Sequence, residues 1–245
     1  MTTQANINPN KTARIAGFLY LLLIPLGVLG LLYIPNTLFV PGDIETTINN
    51  IRANQFLFRA GFVSAILVQL VNIAVVLYLY KLLKPASQIA AQLMVIFLLL
   101  GVPIAFVNEL FHSAVLLILN GPDFLASFSV AQVQSIAALF IDLHAHGIMV
   151  AQVFWGLWLF PMGYLVYKSG YLPRIIGILL IVGGFGYLTD SFIFFFVPDF
   201  AIILSSFTFL GEVLLPLWLV IKGVNVEGWK KQTQTVAKLE SLAAV

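Results

Sequence analysis

Six long apolar runs, separated by short polar breaks, account for most of the chain. They cover residues 13–34, 58–80, 89–119, 138–167, 173–197 and 201–221. A helix needs about 20 apolar residues to cross a hydrocarbon core about 30 Å thick, and each run has at least that length. The breaks carry turn chemistry: Pro35, Pro41-Gly42-Asp43, Lys84-Pro85, Gly121-Pro122-Asp123, Gly170 with Pro173, and Pro198-Asp199. A membrane barrel would instead show short alternating strands. The pattern predicts an all-α fold: a polytopic transmembrane bundle of six helices over residues 12–222. An N-terminal tail (1–11) and a polar C-terminal tail (223–245) flank it, the latter a frayed or surface helix.

Two of the breaks carry a helical signal of their own. Ile44, Ile48 and Ile51 recur at helical spacing behind Asp43, which is placed as an N-cap. They predict a short amphipathic helix on the outer surface that runs into the second span. Further on, Ser129-x-x-Gln132 reads as a capping box. A helix from there to Tyr167 would be about 57 Å long, so its first turns project beyond the bilayer or it bends near Gly147. Pro25, Pro103, Pro161 and Pro216 fall inside spans and predict kinks. Gly177, Gly183, Gly184 and Gly186 predict close backbone packing on the fifth helix. Trp229 and Tyr167 suit anchoring at the membrane interface.

Composition sharpens the class. The chain has 245 residues, of which 61% are hydrophobic and only 9% charged, and its mean hydropathy is +1.03. A soluble domain is nearer half apolar and a quarter charged. The lipid bilayer is therefore the expected partner. A net charge of +2 gives no reason to expect nucleic acid. Position matters more than sum. With both termini in the cytoplasm, ten basic residues lie inside (Lys11, Arg14, Lys81, Lys84, Lys168, Arg174, Lys222, Lys230, Lys231, Lys238) and only Arg52 and Arg59 lie outside. That split predicts an N-in, C-in, multi-pass protein of the cell membrane. The first run follows Lys11 and Arg14 as a signal peptide would. Its length and the lack of a small-residue cleavage site make it a retained helix. There is no cysteine, so thiol chemistry and disulfides are excluded.

The informative residues are the ionisable ones inside the spans. Such groups are rare in membranes and face the protein interior or water. All three histidines, His112, His144 and His146, fall in spans three and four, as do Glu109 and Asp142; Asp190 and Glu212 lie in spans five and six. Counting from the inner anchors at 1.5 Å per residue, His146 is about 33 Å from Lys168 and Glu109 about 32 Å from Gln88. Asp190 is about 24 Å from Arg174, and Glu212 about 15 Å from Lys222. The Glu109, His112, Asp142 and His146 group thus belongs at the outer boundary, and the other two carboxylates lie deeper. Glu109 and His112 share a helix face, and so do Asp142 and His146. His144 is turned about 200° from His146 on an ideal helix and is expected to stand apart. Antiparallel packing of spans three and four would bring the two pairs together.

Three chemistries follow. Two imidazoles and a carboxylate on facing helices can hold zinc or another divalent metal. The expected ligands are His112, Asp142 and His146, with Glu109 or Asp190 as general base. That makes a metal-dependent membrane enzyme, a hydrolase acting on a lipid or amphiphile from an outward-facing pocket. A second reading is a small proton- or ion-coupled transporter in which Asp190 and Glu212, with Gln69 and Asn72, form a polar path. A third is a non-catalytic accessory protein whose polar cluster only fixes helix packing. Haem held by His112 and either His144 or His146 is a weaker fit, because the surrounding cluster is acidic and lies at the rim.

Several stretches resemble the domain of unknown function 4386 family. They are ARIAGFLYLL (13–22), VPGDIETTINNI (40–51), FLFRAGF (56–62), LYLYKLLKP (77–85), DLHAHG (142–147), FWGLWLFPMGYLVYKSGYLPRIIGILL (154–180) and GYLTD (186–190). The most specific is the SGYLPRIIG turn (169–177). The resemblance covers about residues 12–222 and implies a six-helix bacterial inner-membrane protein. It implies no activity, so the chemistry rests on the residues themselves.

Overall fold

A computed structural model of the chain describes residues 8–121, 125–197 and 202–243. It is helical, with no strand among the described residues. In order these are α1 (Pro9–Gly27), a π-helical turn (Val28–Tyr33), α2 (Ile34–Leu38), α3 (Ile44–Ala53), α4 (Gln55–Leu83) and α5 (Gln88–Leu119). There follow α6 (Val130–Ser169), α7 (Arg174–Phe196), α8 (Ser205–Thr208), α9 (Leu210–Ile221) and α10 (Val226–Ala243). The run Pro9–Leu38, α4, α5, α6 and α7 are each long and apolar enough to cross a membrane. The chain is a multi-pass membrane protein. The sixth apolar run is shorter than its sequence suggests. Ser205–Ile221 spans only about 24 Å, and the chain then turns by 102° into Val226–Val236 of α10, so that the bent pair together makes the sixth apolar segment. The turns expected at Pro122-Asp123 and Pro198-Asp199 lie outside the described residues.

The fold divides into two compact units, and α1, α4, α5 and α6 each contribute a stretch to both. The first comprises Met1–Leu21, Val71–Gly101 and Gln152–Val245. Its helices approach closely where glycines meet. A Cβ on Gly177 would lie 2.5 Å from the Gly163 carbonyl oxygen, and one on Gly163 would lie 2.6 Å from that of Gly177. Gly156 and Gly184 repeat the arrangement two turns away. With no hydrophobic drive between helices in lipid, this close backbone contact is what holds α6 to α7. The polar tail is a docked helix, not a frayed one. Trp229 is only 4% exposed, and its Nε1–H donates to the Leu82 carbonyl at 2.9 Å. The Tyr171 hydroxyl donates to the same oxygen at 2.9 Å. Leu82 lies in the last turn of α4, where carbonyls have no helical partner, so both lone pairs of an otherwise orphaned group are used. Trp229 is thus a packing residue where an interfacial anchor is expected, while Tyr167 is exposed with the Arg174 guanidinium 5.6 Å from its ring centroid.

The second unit comprises Leu22–Leu70 and Val102–Ala151. Its core is built from Ile34, Leu38, Ile48, Ile51, Phe58 and Val115, with Ala137 from α6. The amphipathic α3 forms as its sequence predicts, but Ile48 and Ile51 are fully buried in this core rather than facing lipid. Asp43 caps it, accepting from the Thr46 amide at 2.9 Å and the Thr46 hydroxyl at 2.6 Å. The capping box also forms. The Ser129 amide donates to Gln132 Oε1 at 2.8 Å and the Gln132 amide to Ser129 Oγ at 3.3 Å. From there α6 runs as one helix of 40 residues. After Pro25 the first span loosens into the π-helical turn. There Ile34 donates to the Leu29 carbonyl five residues back, and Ser64 Oγ donates to the Leu26 carbonyl at 2.8 Å. Pro35 has no N–H, so the regular ladder cannot close across this stretch.

Candidate metal centre

The second unit gathers Glu109, His112 and His144, which are 6%, 8% and 8% exposed. Glu109 and His112 lie one turn apart on α5, and His112 Nδ1 is 2.9 Å from Glu109 Oε2. His144 comes from α6, and its Nε2 is 3.1 Å from Glu109 Oε1. Each carboxylate oxygen therefore faces one imidazole nitrogen. The two rings stack at 3.7 Å between centroids and 29° between planes, and Phe58 meets His112 edge-on at 4.7 Å. For both rings to donate to Glu109, His112 must carry its proton on Nδ1 and His144 on Nε2.

Local backbone geometry sets the position of His144. Asn108 Nδ2 donates to the His144 carbonyl at 3.0 Å. Its Oδ1 lies against Gly147, where a Cβ would overlap it, and has no hydrogen-bond partner. The missing side chain at Gly147 lets Asn108 reach the α6 backbone one turn from His144.

The structure brings Glu109 and His112 together, as their spacing predicts, but it is His144 that joins them. Asp142 and His146 are exposed, and His146 Nδ1 is 2.8 Å from the Asp142 backbone carbonyl. The 200° offset between the two histidines is real, and the helix phase is opposite to the one expected. Ala137, His144 and Ala151 are buried at seven-residue intervals, and this small-residue face turns to the core. The spacing of small residues around His144 was the signal that could have found it. Asp190 lies in the first unit and both its oxygens are used, accepting from the Leu204 amide at 2.7 Å and the Ser205 amide at 2.8 Å. Glu212 is also in the first unit and accepts from the Tyr20 hydroxyl at 3.1 Å. Gln69 and Asn72 are buried on α4, the former in the second unit and the latter in the first.

The donor set suits a divalent transition metal. One ligand atom from each of Glu109, His112 and His144 lies within 4.8 Å of the others. A tetrahedral ion with bonds of about 2.0–2.1 Å holds its ligand atoms roughly 3.4 Å apart, so closure takes movements of about an ångström.

The family described as Domain of unknown function (DUF4386) matches residues 15–223. The chain belongs to this family. A protein of Archaeoglobus fulgidus described as uncharacterized is 33% identical over 163 residues, covering 66% of this chain and 83% of that one. No solved structure matches this DUF4386 chain.

Proposed function

We propose that this DUF4386 protein is a metal-dependent enzyme of the cell membrane, with zinc or another divalent ion held by Glu109, His112 and His144. The observation that carries the reading is the convergence of two imidazoles and a carboxylate from two helices, all buried, with no Lys or Arg ion pair among them. Three protein ligands leave one position of a tetrahedral site for water. A bound metal supplies a hydroxide nucleophile near neutral pH. The reaction class is hydrolysis, and the substrate class is a lipid or other amphiphile. Val107 and Leu110 on α5, with Leu143 and Val150 on α6, are exposed apolar residues flanking the centre in sequence, which suits entry from lipid. About two turns beyond His112, Ile118 and Leu119 line a cavity of about 220 Å³ with Arg52, Leu125 and Phe128. Arg52 would bind an anionic head there. The basic residues favour both termini in the cytoplasm, which directs this cavity outward.

The test is elemental analysis of detergent-purified protein. Near-stoichiometric zinc, iron or manganese is expected in the wild type and in His146→Ala, and is lost in His112→Ala/His144→Ala. A wild type that holds no metal after reloading overturns the proposal. Metal that disappears in His146→Ala but survives the double variant overturns the ligand set.

A further inference from the structure

A second carboxylate within the apolar helices has different surroundings. Glu212 sits in the first turn of α9, within the sixth apolar segment. Its Oε2 accepts from the Tyr20 hydroxyl of α1 at 3.1 Å, while Oε1 is buried with no hydrogen-bond partner. Tyr20 is itself buried, with Trp158 of α6 tilted against it at 5.9 Å between centroids. From α7, Tyr187 is the other phenol near the carboxylate. The other acid on α7, Asp190, is saturated by two backbone amides. From α6, Gln152 donates to the Tyr187 carbonyl and Ser191 Oγ and carries no charge. Among the described residues no Lys, Arg or His forms an ion pair with Glu212.

A carboxylate without a cationic partner in an apolar setting must be neutralised, because burying an unpaired charge costs far more than burying a neutral acid. Hard metal cations want six or more oxygens, and one carboxylate with two hydroxyls cannot supply them. A proton needs only one. We propose that Glu212, with the Tyr20 hydroxyl on one oxygen and the other oxygen unpartnered, forms a proton-binding site in the first unit. The acid is served at one oxygen in both forms. The charged form accepts from the Tyr20 hydroxyl at Oε2. The neutral form keeps its bond from Tyr20 to Oε2 and carries its own proton on Oε1, the oxygen with no hydrogen-bond partner. The Tyr20 bond therefore persists whether the proton is held or released.

Infrared difference spectroscopy of the full-length protein tests this, between about pH 5 and about pH 9. The wild type is expected to show a carboxylic-acid C=O band at the acid end that is lost at the alkaline end. Glu212→Gln, which keeps shape and packing, loses the band, and Asp190→Asn retains it. In Tyr20→Phe the band persists but moves to higher frequency, because the C=O loses its hydrogen-bond donor. A Glu212 band that does not change with pH means a locked acid and overturns the proposal, as does the absence of any band that Glu212→Gln removes. An unmoved band in Tyr20→Phe overturns the assignment of Tyr20 to the site.

Discussion

Glu109 and Glu212 are both carboxylates within apolar helices, and the two units that hold them supply different partners. Glu109 has a nitrogen on each oxygen: His112 at 2.9 Å and His144 at 3.1 Å. Glu212 has a phenol on one oxygen and no hydrogen-bond partner on the other. Imidazoles bring lone pairs that a transition metal can use, whereas hydroxyls bring a means of passing a proton. The same residue type is thus directed to different chemistry by what faces it. Helix count and hydropathy do not carry this distinction.

The comparison is broken most directly by removing each acid in turn. Glu109→Ala leaves two stacked imidazoles buried without their shared acceptor. It is expected to cost about 3 kcal/mol, or about 10 °C in apparent Tm for a chain of this size. Glu212→Gln keeps the shape of the side chain and an acceptor for the Tyr20 hydroxyl, and is expected to cost less than about 1 kcal/mol. Thermal melts of both variants in one detergent decide the point. Equal losses would mean that the two acids play the same packing role.

A smaller effect sharpens the comparison within the second unit. Gly147→Ala places a methyl group where Asn108 Oδ1 lies, and should cost about 2 kcal/mol by overpacking. It should also loosen His144, because Asn108 must withdraw from the His144 carbonyl. The double variant Gly147→Ala/Asn108→Ala removes the clash and should recover part of the stability. If melts show the two substitutions to be additive, Asn108 and Gly147 do not act as a unit.

These residues also show where sequence reasoning stops. Helix starts were legible because capping is local: Asp43 meets Thr46 and Ser129 meets Gln132, each within one turn. The apolar runs were legible because a bilayer imposes their length. The phase of α6 was not. His144 and His146 both belong to an amphipathic reading, and the choice between them depends on which α6 face meets α5. Gly147 and Ala137 on α6 and Asn108 on α5 decide that across more than 25 residues of sequence. Trp229 fails for the same reason. An indole beside lysines reads as an interfacial anchor until α4 supplies the Leu82 carbonyl, 147 residues away, as its acceptor. The sixth segment is shorter than its hydropathy implies because hydropathy has no term for the break at Phe209 or the 102° turn into α10.

The smallest expected effect is at α3, outside the spans, where an acid is served by local groups alone. The Thr46 hydroxyl and amide hold the Asp43 carboxyl below its usual range. A carboxyl depressed in the folded state stabilises above its unfolded value, about 3.9, and that contribution fades as pH falls through the folded value. Amide exchange in Ile44–Ala53 should therefore be unchanged from about pH 7 down to about pH 5, after correction for intrinsic rates, and should accelerate below about pH 4. Asp43→Asn keeps an N-cap without the charge. It should remove the acid-dependent acceleration while leaving α3 formed at neutral pH. Because Ile48 and Ile51 anchor α3 in the core of the second unit, the acceleration should be confined to its first turn. Loss of protection along the whole helix would instead mean that the cap, and not the buried isoleucines, holds α3 in place.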